Sequence, residues 1–216
     1  DEARTLALTA APPKVVDVGA GRETPYAIGG LPGVEVVGVD ILAADLEANA
    51  QLDRRVPHDL LSGRMPDEAH DAGLITSRMV LEHIADMDAF AAEVHRSLAP
   101  GGRTIHFFAA RYSLFAFANR VLPEAFAKRL LYLLRPESVD VGGFVTYYDR
   151  TNARAIRAVF ERAGFTNVRT QTSYEVSQYF HFFFPAFVLV RLWETLLHAL
   201  GWQDAAAFVL LTAERP

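Results

Sequence analysis

Continuous apolar runs and amphipathic stretches alternate along most of the chain. Residues 14–20 (KVVDVGA) are a largely apolar run of the kind that forms a strand buried on both faces of a parallel sheet. Residues 86–98 (DMDAFAAEVHRSL) place apolar side chains at helical spacing, which predicts an amphipathic helix. The two patterns together predict strands at 14–20, 34–40, 54–60, 71–77, 103–110, 166–174 and 205–215, and helices at 2–10, 42–52, 86–98 and 152–164.

Short local signals mark where some of these elements begin and end. Thr24 followed by Pro25 predicts the N-cap and the first residue of a short helix. The Pro-Gly segment at 99–102 (APGG) predicts a stop after the helix that precedes it. Because strands and helices alternate, we expect an open α/β sheet with right-handed crossover connections.

Two stretches interrupt this alternation. Residues 111–148 are rich in aromatic side chains at helical spacing, and residues 185–200 predict a second apolar helix. No repeat, low-complexity tract or linker sets either stretch apart, so residues 1–216 are predicted to be one domain with two helical insertions. The longest apolar run carries Arg191, Glu194 and His198, and these polar residues argue against a membrane span.

The composition narrows the classes of function. A net charge of −5 and a pI of about 5.8 leave no basic footprint, which argues against a nucleic-acid partner. Cysteine is absent from the sequence, so disulfides, thiolate metal sites and a cysteine nucleophile are excluded. The lack of cysteine is consistent with a reducing compartment, and we expect a cytoplasmic location. The chain begins at Asp1 rather than Met, which leaves room for a further N-terminal segment.

A glycine turn after the first strand carries the main chemical signal. Gly19 and Gly21 allow the backbone to turn sharply and to approach a ligand closely. Asp40 ends the second strand about twenty residues later, where a carboxylate can accept hydrogen bonds from ribose hydroxyls. Dinucleotide-binding turns have a third glycine, but Glu23 stands near that point here and would repel a pyrophosphate. A carboxylate there suits a cofactor that lacks phosphate and carries positive charge, such as S-adenosylmethionine.

Several segments resemble the class I S-adenosylmethionine-dependent methyltransferases, in particular the small-molecule branch with an LEH…LxPGG pattern. They are VVDVGAG, GVD, HDL and ITSRMVLEHIADMDAFAAEVHRSLAPGG. The likeness is good over residues 14–108 and looser over 148–215. It implies a doubly wound, mostly parallel, seven-stranded Rossmann-like sheet with its last strand antiparallel. It also implies S-adenosylmethionine as cofactor, S-adenosylhomocysteine as product, and no metal.

The resemblance also implies where the sugar and the base of the cofactor lie. Asp40 would hold the ribose, and Ile41 would lie against adenine. Asp59, with the backbone of Leu60, would meet the amino edge of adenine. Glu23 departs from the glycine that is usual in the family.

The methionine part and the methyl group involve the remaining cofactor residues. Asp17 would contact the ammonium, directly or through water, because a carboxylate in an apolar strand needs a partner. Gly19 and Gly21 would bracket the methionine part, and Ser77 or its backbone would lie near the methyl group.

The side chains that would serve the acceptor are less well marked. His83 is a candidate general base, since its ordinary pKa is near neutrality, but the LEH turn recurs among methyltransferases with unrelated acceptors, which favours a structural role. His106, inside the fifth strand, is expected in the core. The residues that flank the first insertion are candidate acceptor contacts, with packing as the alternative: Arg111, Tyr112, Tyr147, Tyr148 and Arg150.

The sequence also bears on the type of acceptor. An Asn-Pro-Pro-Tyr segment is missing after the fourth strand, which argues against amide or adenine nitrogens, and an acidic metal cluster is missing as well. We therefore expect methyl transfer to an oxygen or nitrogen of a small molecule. The alternatives are an NAD-dependent oxidoreductase that uses the same turn, and a non-catalytic module that binds a cofactor or partner. For the second apolar helix we expect a lid over the acceptor first, a homodimer contact second and membrane-surface contact last.

Overall fold

The computed structural model describes residues 2–60, 64–112, 116, 145–181 and 183–216. Seven strands form one sheet: β1 (Lys14–Val18), β2 (Glu35–Asp40), β3 (Arg54–Pro57), β4 (Ala72–Arg78), β5 (Leu98–Ala109), β6 (Thr166–Ser173) and β7 (Phe208–Glu214). The described α-helices are α1 (Glu2–Leu8), α2 (Ala43–Ala48), α3 (Met87–Ser97), α4 (Ala153–Arg162) and α5 (Phe184–Leu200).

The strand order is β3-β2-β1-β4-β5-β7-β6, and β7 runs antiparallel to both of its neighbours. The predicted doubly wound, seven-stranded sheet with an antiparallel last strand is therefore confirmed. The larger core lies on the face covered by α3 and α4, where Phe108 and Phe160 are fully buried. The other face holds Val15 and Leu74 against α1. Because both faces are covered, the central strands read as continuous apolar runs.

Side-chain caps explain where two of the helices begin. Asp86 accepts a hydrogen bond from the backbone N–H of Ala89 at the start of α3, and Asn152 does the same for Ala155 at the start of α4. Each cap satisfies an N–H group that has no partner within its helix. The helix α5 ends at Gly201, whose φ of 60° is the left-handed conformation that glycine adopts readily.

One local expectation was wrong, and one strand begins earlier than predicted. The helix predicted to begin at Thr24 is one 3₁₀ turn, Pro25–Ala27, and the Thr24 side chain makes no capping bond. The APGG segment follows the end of α3 as predicted but then continues as part of β5. It can do so because Gly101 and Gly102 exchange backbone hydrogen bonds with Arg215 near the chain end. An added Cβ on Gly102 would lie 2.8 Å from the carbonyl oxygen of Ala99, so the backbones pack too closely there for a side chain.

Both interruptions of the α/β pattern begin at one edge of the sheet. Ala109, the last residue of β5, pairs with Phe208, the first residue of β7, and Ser173, the last residue of β6, pairs with Phe208 from the other side. These residues mark the edge that also holds the carboxyl ends of β1 and β4. Residues 113–115 and 117–144 of the first predicted insertion lie outside the described residues. Among the described helices, none is long and apolar enough to span a bilayer.

Candidate functional site

The candidate site lies at the carboxyl ends of β1 and β4, where the sheet changes its winding direction. In open α/β sheets this crevice is the usual ligand site. Gly19 has φ 70° and Gly21 has φ 51°, so both occupy the left-handed region that favours glycine. An added Cβ on Gly19 would lie 2.3 Å from the Val80 side chain, whereas one on Gly21 would meet no atom within 4 Å. Gly19 thus allows close packing against the loop after β4, and Gly21 faces open space.

A buried asparagine holds this turn in place. Asn49 is fully buried, and its Nδ2 donates to the carbonyl oxygens of Ala20 and Gly21 at 3.4 and 3.2 Å and to Thr24 Oγ1 at 3.3 Å. The backbone N–H of Thr24 donates to Gln51 at 2.9 Å. Side-chain hydrogen bonds from the loop after α2 therefore position the turn, in place of a long helix after it.

Asp40 connects the glycine turn to the end of β2. Its Oδ2 accepts a hydrogen bond from the backbone N–H of Gly21 at 3.0 Å, and its Oδ1 accepts one from Leu42 at 2.9 Å. Each carboxylate oxygen has further acceptor capacity for a ligand hydroxyl. Ile41, the neighbour predicted to contact adenine, is 50% exposed. Glu23 on the other side of the turn is exposed.

Asp17 is the most unusual carboxyl group of the site. It is completely buried at the end of β1, and its Oδ1 accepts a hydrogen bond from Thr76 Oγ1 at 2.9 Å. Its Oδ2 has no hydrogen-bond partner among the residues that the structure describes. Burial raises the pKa of Asp17 to about 8, the Thr76 hydrogen bond opposes this, and the negative charge of Asp40 adds to it. A buried carboxyl with one unpartnered oxygen fits a cationic ligand group such as the ammonium of S-adenosylmethionine.

Tyr26 and Thr76 also belong to this site, although neither was predicted there. Tyr26 adopts φ 67° in the one-turn 3₁₀ helix and donates its hydroxyl hydrogen to the carbonyl oxygen of Ser77 at 3.2 Å. Burial and the nearby charge of Asp17 raise the pKa of Tyr26, and Arg78 opposes the shift. Thr76 has a detectable signal, because it is a polar residue in a strand whose register pairs it with Asp17. Tyr26 has no comparable signal, since a turn residue can point in many directions.

The Ser77 side chain makes its hydrogen bond inside the sheet and does not point into the crevice. Its Oγ lies 2.7 Å from Nδ1 of the buried His106, and Nε2 of His106 lies 2.6 Å from Thr104 Oγ1. Thr104 donates its only hydroxyl hydrogen to the carbonyl of Ile75, so it must accept from His106 Nε2–H. His106 Nδ1 is then an acceptor, and Ser77 donates to it. Burial lowers the pKa of His106 to about 3, which agrees with a neutral core imidazole.

We expect Ser77→Ala to reduce stability and to leave S-adenosylhomocysteine affinity unchanged. The change leaves His106 Nδ1 buried without a donor, which costs about 1–3 kcal/mol in the free energy of unfolding. Urea denaturation and calorimetric titration measure the two quantities. Ser97→Ala is the matched control, because Ser97 is equally buried and its hydroxyl has no partner among the described residues. Lost affinity at unchanged stability would instead support the predicted cofactor role of the Ser77 side chain.

One of the predicted adenine residues, Leu60, lines a small cleft. Asp59 is exposed and Leu60 is half-buried at the end of β3. Leu60 lines a cleft of about 190 Å³ together with Ile84 and Phe90. A larger open groove, of about 260 Å³, lies at the opposite edge of the sheet beside Arg103 and Arg169. That groove is near the amino ends of β5 and β6, so we do not assign it to the cofactor.

The turn after β4 presents two titratable side chains in sequence. His83 ends the 3₁₀ turn Leu81–His83, and its Nδ1–H donates to the carbonyl oxygen of Val145 at 3.0 Å. Glu82 is 3% exposed, and its Oε2 has no hydrogen-bond partner in the described part of the chain. Burial raises the pKa of Glu82 to about 7, while hydrogen bonds from its own backbone and that of Ala109 oppose the shift. Glu82 was not predicted, because the sequence around it gives no signal that separates it from the adjacent His83.

The predicted acceptor residues differ in how they are placed. Tyr147 is 48% exposed and Tyr148 is 5% exposed, so one ring points out and the other in. Tyr112 is exposed, and Arg111 donates to the carbonyl oxygen of Tyr148 at 3.2 Å. Arg150 points toward α3.

Two carboxylates hold Arg150 there. It forms a hydrogen-bonded ion pair with Asp88, and its Nε lies 3.6 Å from Asp149. The Asp88 contact raises the pKa of Arg150, so the guanidinium is already paired with protein carboxylates. Among the residues described, no cluster of three or more His, Asp or Glu side chains is arranged to hold a metal ion.

Comparisons with known proteins agree with this geometry. A family model described as a methyltransferase domain matches residues 2–170. A comparison with curated proteins found no match. Three solved structures with similar folds are each less than 20% identical to this chain.

One is phosphoethanolamine N-methyltransferase 2 of Haemonchus contortus, in complex with phosphomonomethylethanolamine and S-adenosylhomocysteine. Its TM-score is 0.57 and its identity 18%, and the alignment covers 94% of this chain and 48% of that chain. Another is a SAM-dependent methyltransferase from Archaeoglobus fulgidus, with a TM-score of 0.58 and 13% identity. That alignment covers 99% of this chain and 93% of the Archaeoglobus chain. The CurJ carbon methyltransferase has a TM-score of 0.57, 17% identity, and coverage of 94% and 48%. This chain therefore spans about half the length of the first and third structures, and the likenesses establish the fold.

Proposed function

Because this chain belongs to the methyltransferase-domain family and has the fold of class I S-adenosylmethionine-dependent methyltransferases, we propose that it methylates an oxygen or nitrogen of a small, partly apolar acceptor. The observation that carries the proposal is the buried carboxyl of Asp17, whose Oδ2 lacks a partner among the described residues beside the glycine turn. An NAD-dependent oxidoreductase is not supported, since the family is a different one. The turn also lacks a helix whose N-terminus could face a pyrophosphate.

The residues present suit the cofactor, and each of them would contact a different part of it. Asp17 would hold the ammonium, and Asp40 would hold the ribose while it also orders the turn. Gly21 leaves room for the methionine part. Ile41 and Leu60 would contact adenine, with Asp59 at its amino edge. S-adenosylmethionine supplies, when bound, a methyl group already activated by the positive sulfonium. The chain therefore needs only to orient an acceptor and to exclude water.

The acceptor would bind at the edge where both interruptions of the fold begin. The rings of Tyr112 and Tyr147 present exposed aromatic surfaces there. Those surfaces support a partly apolar small molecule, and the net charge of −5 supports an acceptor other than a nucleic acid. One structural neighbour is a carbon methyltransferase, so a carbon atom is the alternative to oxygen or nitrogen as the methyl acceptor. The cytoplasmic location stays a prediction.

The proposal is tested first by binding and then by transfer. Isothermal titration should show S-adenosylhomocysteine binding and no comparable NAD binding. Incubation with methyl-labelled S-adenosylmethionine and a panel of phenols, amines and carboxylic acids should label a phenol or an amine, as measured by mass spectrometry. Failure to bind S-adenosylhomocysteine would reject the enzyme assignment. Binding without transfer to any acceptor, including the small-molecule fraction of a cell extract, would favour the non-catalytic alternative.

A hydroxyl or amine acceptor must lose a proton, and two adjacent side chains are candidates to take it up. His83 presents an imidazole ring, but its Nδ1–H is engaged with the carbonyl oxygen of Val145. Glu82 is buried and has a carboxyl oxygen without a partner in the described part of the chain. His83→Gln and Glu82→Gln therefore form a matched pair. The base should be the residue whose substitution lowers turnover by about 10²-fold with S-adenosylhomocysteine affinity retained.

The same pair has a readout that needs no acceptor. The pKa of folded Glu82 is about 7, above the ordinary value of 4.5, so its contribution to stability is complete below pH 4.5 and is lost as the pH rises through 7. Glu82→Gln should therefore be more stable than the wild type at pH 8 and equally stable at pH 4.5. His83→Gln should lose stability at both values, because the hydrogen bond to Val145 is gone. Denaturation curves at the two pH values check this, and equal wild-type and Glu82→Gln stability at pH 8 would contradict it.

A further inference from the structure

The helix α5 is attached to the rest of the protein through a side that carries its two buried residues, Glu194 and Leu197. Glu194 is 4% exposed and accepts hydrogen bonds from the backbone N–H groups of Val176 and Ser177 at 2.5 Å each, and from Ser177 Oγ at 2.9 Å. Burial raises the pKa of Glu194, but these bonds and Arg191 outweigh it and lower the pKa overall. His198 lies edge-on to Tyr174, with ring centroids 6.1 Å apart. These contacts determine which side of the helix points outward.

Among the residues that the structure describes, the outward side of α5 is mainly apolar and exposed. We call it the Trp face and define it by eight side chains, each about half exposed or more: Phe183, Phe184, Leu189, Leu192, Trp193, Leu196, Leu200 and Trp202. Leu189, Leu192, Leu196 and Leu200 recur at steps of three or four residues, so they form one stripe along the helix. A surface helix ordinarily turns its apolar stripe toward the core, whereas this stripe is exposed.

The size of the Trp face matches a protein interface. Eight large side chains exposed by about half amount to roughly 900 Å² of mainly apolar surface. The largest apolar patch of a typical monomer is about 300–600 Å², whereas a stable interface buries about 800 Å² on each partner. The 17 residues of α5 extend about 25 Å, long enough for such a contact to be continuous.

The composition of the face indicates which partner it fits. Tryptophan, phenylalanine and leucine with few charges are typical of the buried centre of a homodimer interface. A bilayer surface would favour flanking Lys and Arg, but α5 contains one such residue, Arg191, and it is held 3.1 Å from Glu194. A helix stripe that packs against its own copy across a two-fold axis forms a self-complementary contact. Two-fold symmetry is the commonest symmetry among oligomers.

We propose that the Trp face is a homodimer interface, in which α5 packs antiparallel against α5 of a second copy of this chain. Because α5 lies between β6 and β7 at the carboxyl edge of the sheet, the second copy stands next to the proposed acceptor region. The proposal does not depend on the methyl-transfer reaction.

Sedimentation velocity of the full chain tests the proposal directly. We expect a dimer at micromolar concentration for the wild type, and a folded monomer for Leu192→Glu combined with Leu196→Glu, since both positions are exposed within one chain. Leu8→Glu is the matched control, because Leu8 is 54% exposed at the end of α1, and it should stay dimeric. Both tryptophans of the sequence lie on the Trp face, so their emission should shift to longer wavelength when the dimer dissociates.

Each of three other outcomes would reject the proposal. A wild-type monomer at every concentration would overturn it, whether its tryptophan emission is that of buried or of exposed rings. A monomer that co-sediments with phosphatidylcholine–phosphatidylglycerol vesicles would assign the face to a membrane surface instead. A dimer that persists in the doubly substituted variant would place the interface elsewhere. S-adenosylhomocysteine titration of the same samples reports separately on the proposed function.

Discussion

Asp17→Asn is expected to weaken S-adenosylhomocysteine binding by about a hundredfold or more and, at the same time, to make the ligand-free protein more stable at high pH. The affinity falls because the ligand ammonium loses its buried counter-charge, which is worth about 3 kcal/mol or more. The stability rises because folded Asp17 has a pKa of about 8, far above its ordinary 3.8. Its contribution to stability is complete below pH 3.8 and is lost as the pH rises through 8. Calorimetric titration at pH 7 and thermal melts at pH 5 and pH 9 measure the two effects.

A second measurement separates the charge of Asp17 from its packing. At pH 6.5 the buried carboxyl of the wild type holds a proton, so binding of a cationic ammonium should release about one proton. Titration in two buffers with different ionisation enthalpies detects that proton, and Asp17→Asn should release none. Glu82→Gln is the control and should release the same amount as the wild type. Unchanged affinity in Asp17→Asn would remove the residue from the ligand site and weaken the cofactor assignment.

Asp40→Ala is expected to weaken S-adenosylhomocysteine binding by roughly 1.5–3 kcal/mol, about ten- to a hundredfold. Two losses contribute: the charge-assisted contact to the ribose, and the hydrogen bonds that Asp40 accepts from Gly21 and Leu42. Glu47→Ala is the matched control, because Glu47 is an exposed carboxylate on α2 and its loss changes the net charge equally. Calorimetric titration of both variants, with circular dichroism as the check on folding, decides the matter. Equal affinities for the two variants would contradict the role of Asp40.

The sheet could be predicted from the sequence because its signals are periodic and local. A strand buried on both faces is mainly apolar, as in β1 and β4, and each helix that packs on the sheet carries one apolar stripe. The prediction went wrong where tertiary contacts override local preference. Thr24 and Pro25 favour a helix, but Asn49 and Gln51 hold this stretch in a single turn. Gly101 and Gly102 normally end an element, yet Arg215 extends β5 through them.

The site could be predicted only in part. Two segments with recognisable spacing carry the glycine turn and its carboxylates: the first holds Asp17, Gly19 and Gly21, and the second ends at Asp40. This part of the site could therefore be predicted from the sequence. The partnership of Ser77 with His106, 29 residues apart, depends on strand register and side-chain direction, which the sequence does not specify. Glu82 and His83 are neighbours with similar patterns, but only folding buries one and leaves the other half-exposed. The predicted roles of the acceptor residues stay predictions.

The single turn of 3₁₀ helix after the glycine turn has a consequence for competition among ligands inside a cell. Many abundant metabolites contain adenosine, and most of them carry phosphates. A long helix that began here would attract those phosphates through its N-terminal N–H groups. With Pro25–Ala27 in that place and the carboxylate of Asp40 beside it, the crevice offers negative charge where such a competitor carries its own. We therefore expect the protein to discriminate among adenosine compounds by charge: repulsion should weaken the binding of ADP and NAD, whereas a sulfonium amino acid attached to the same nucleoside should bind.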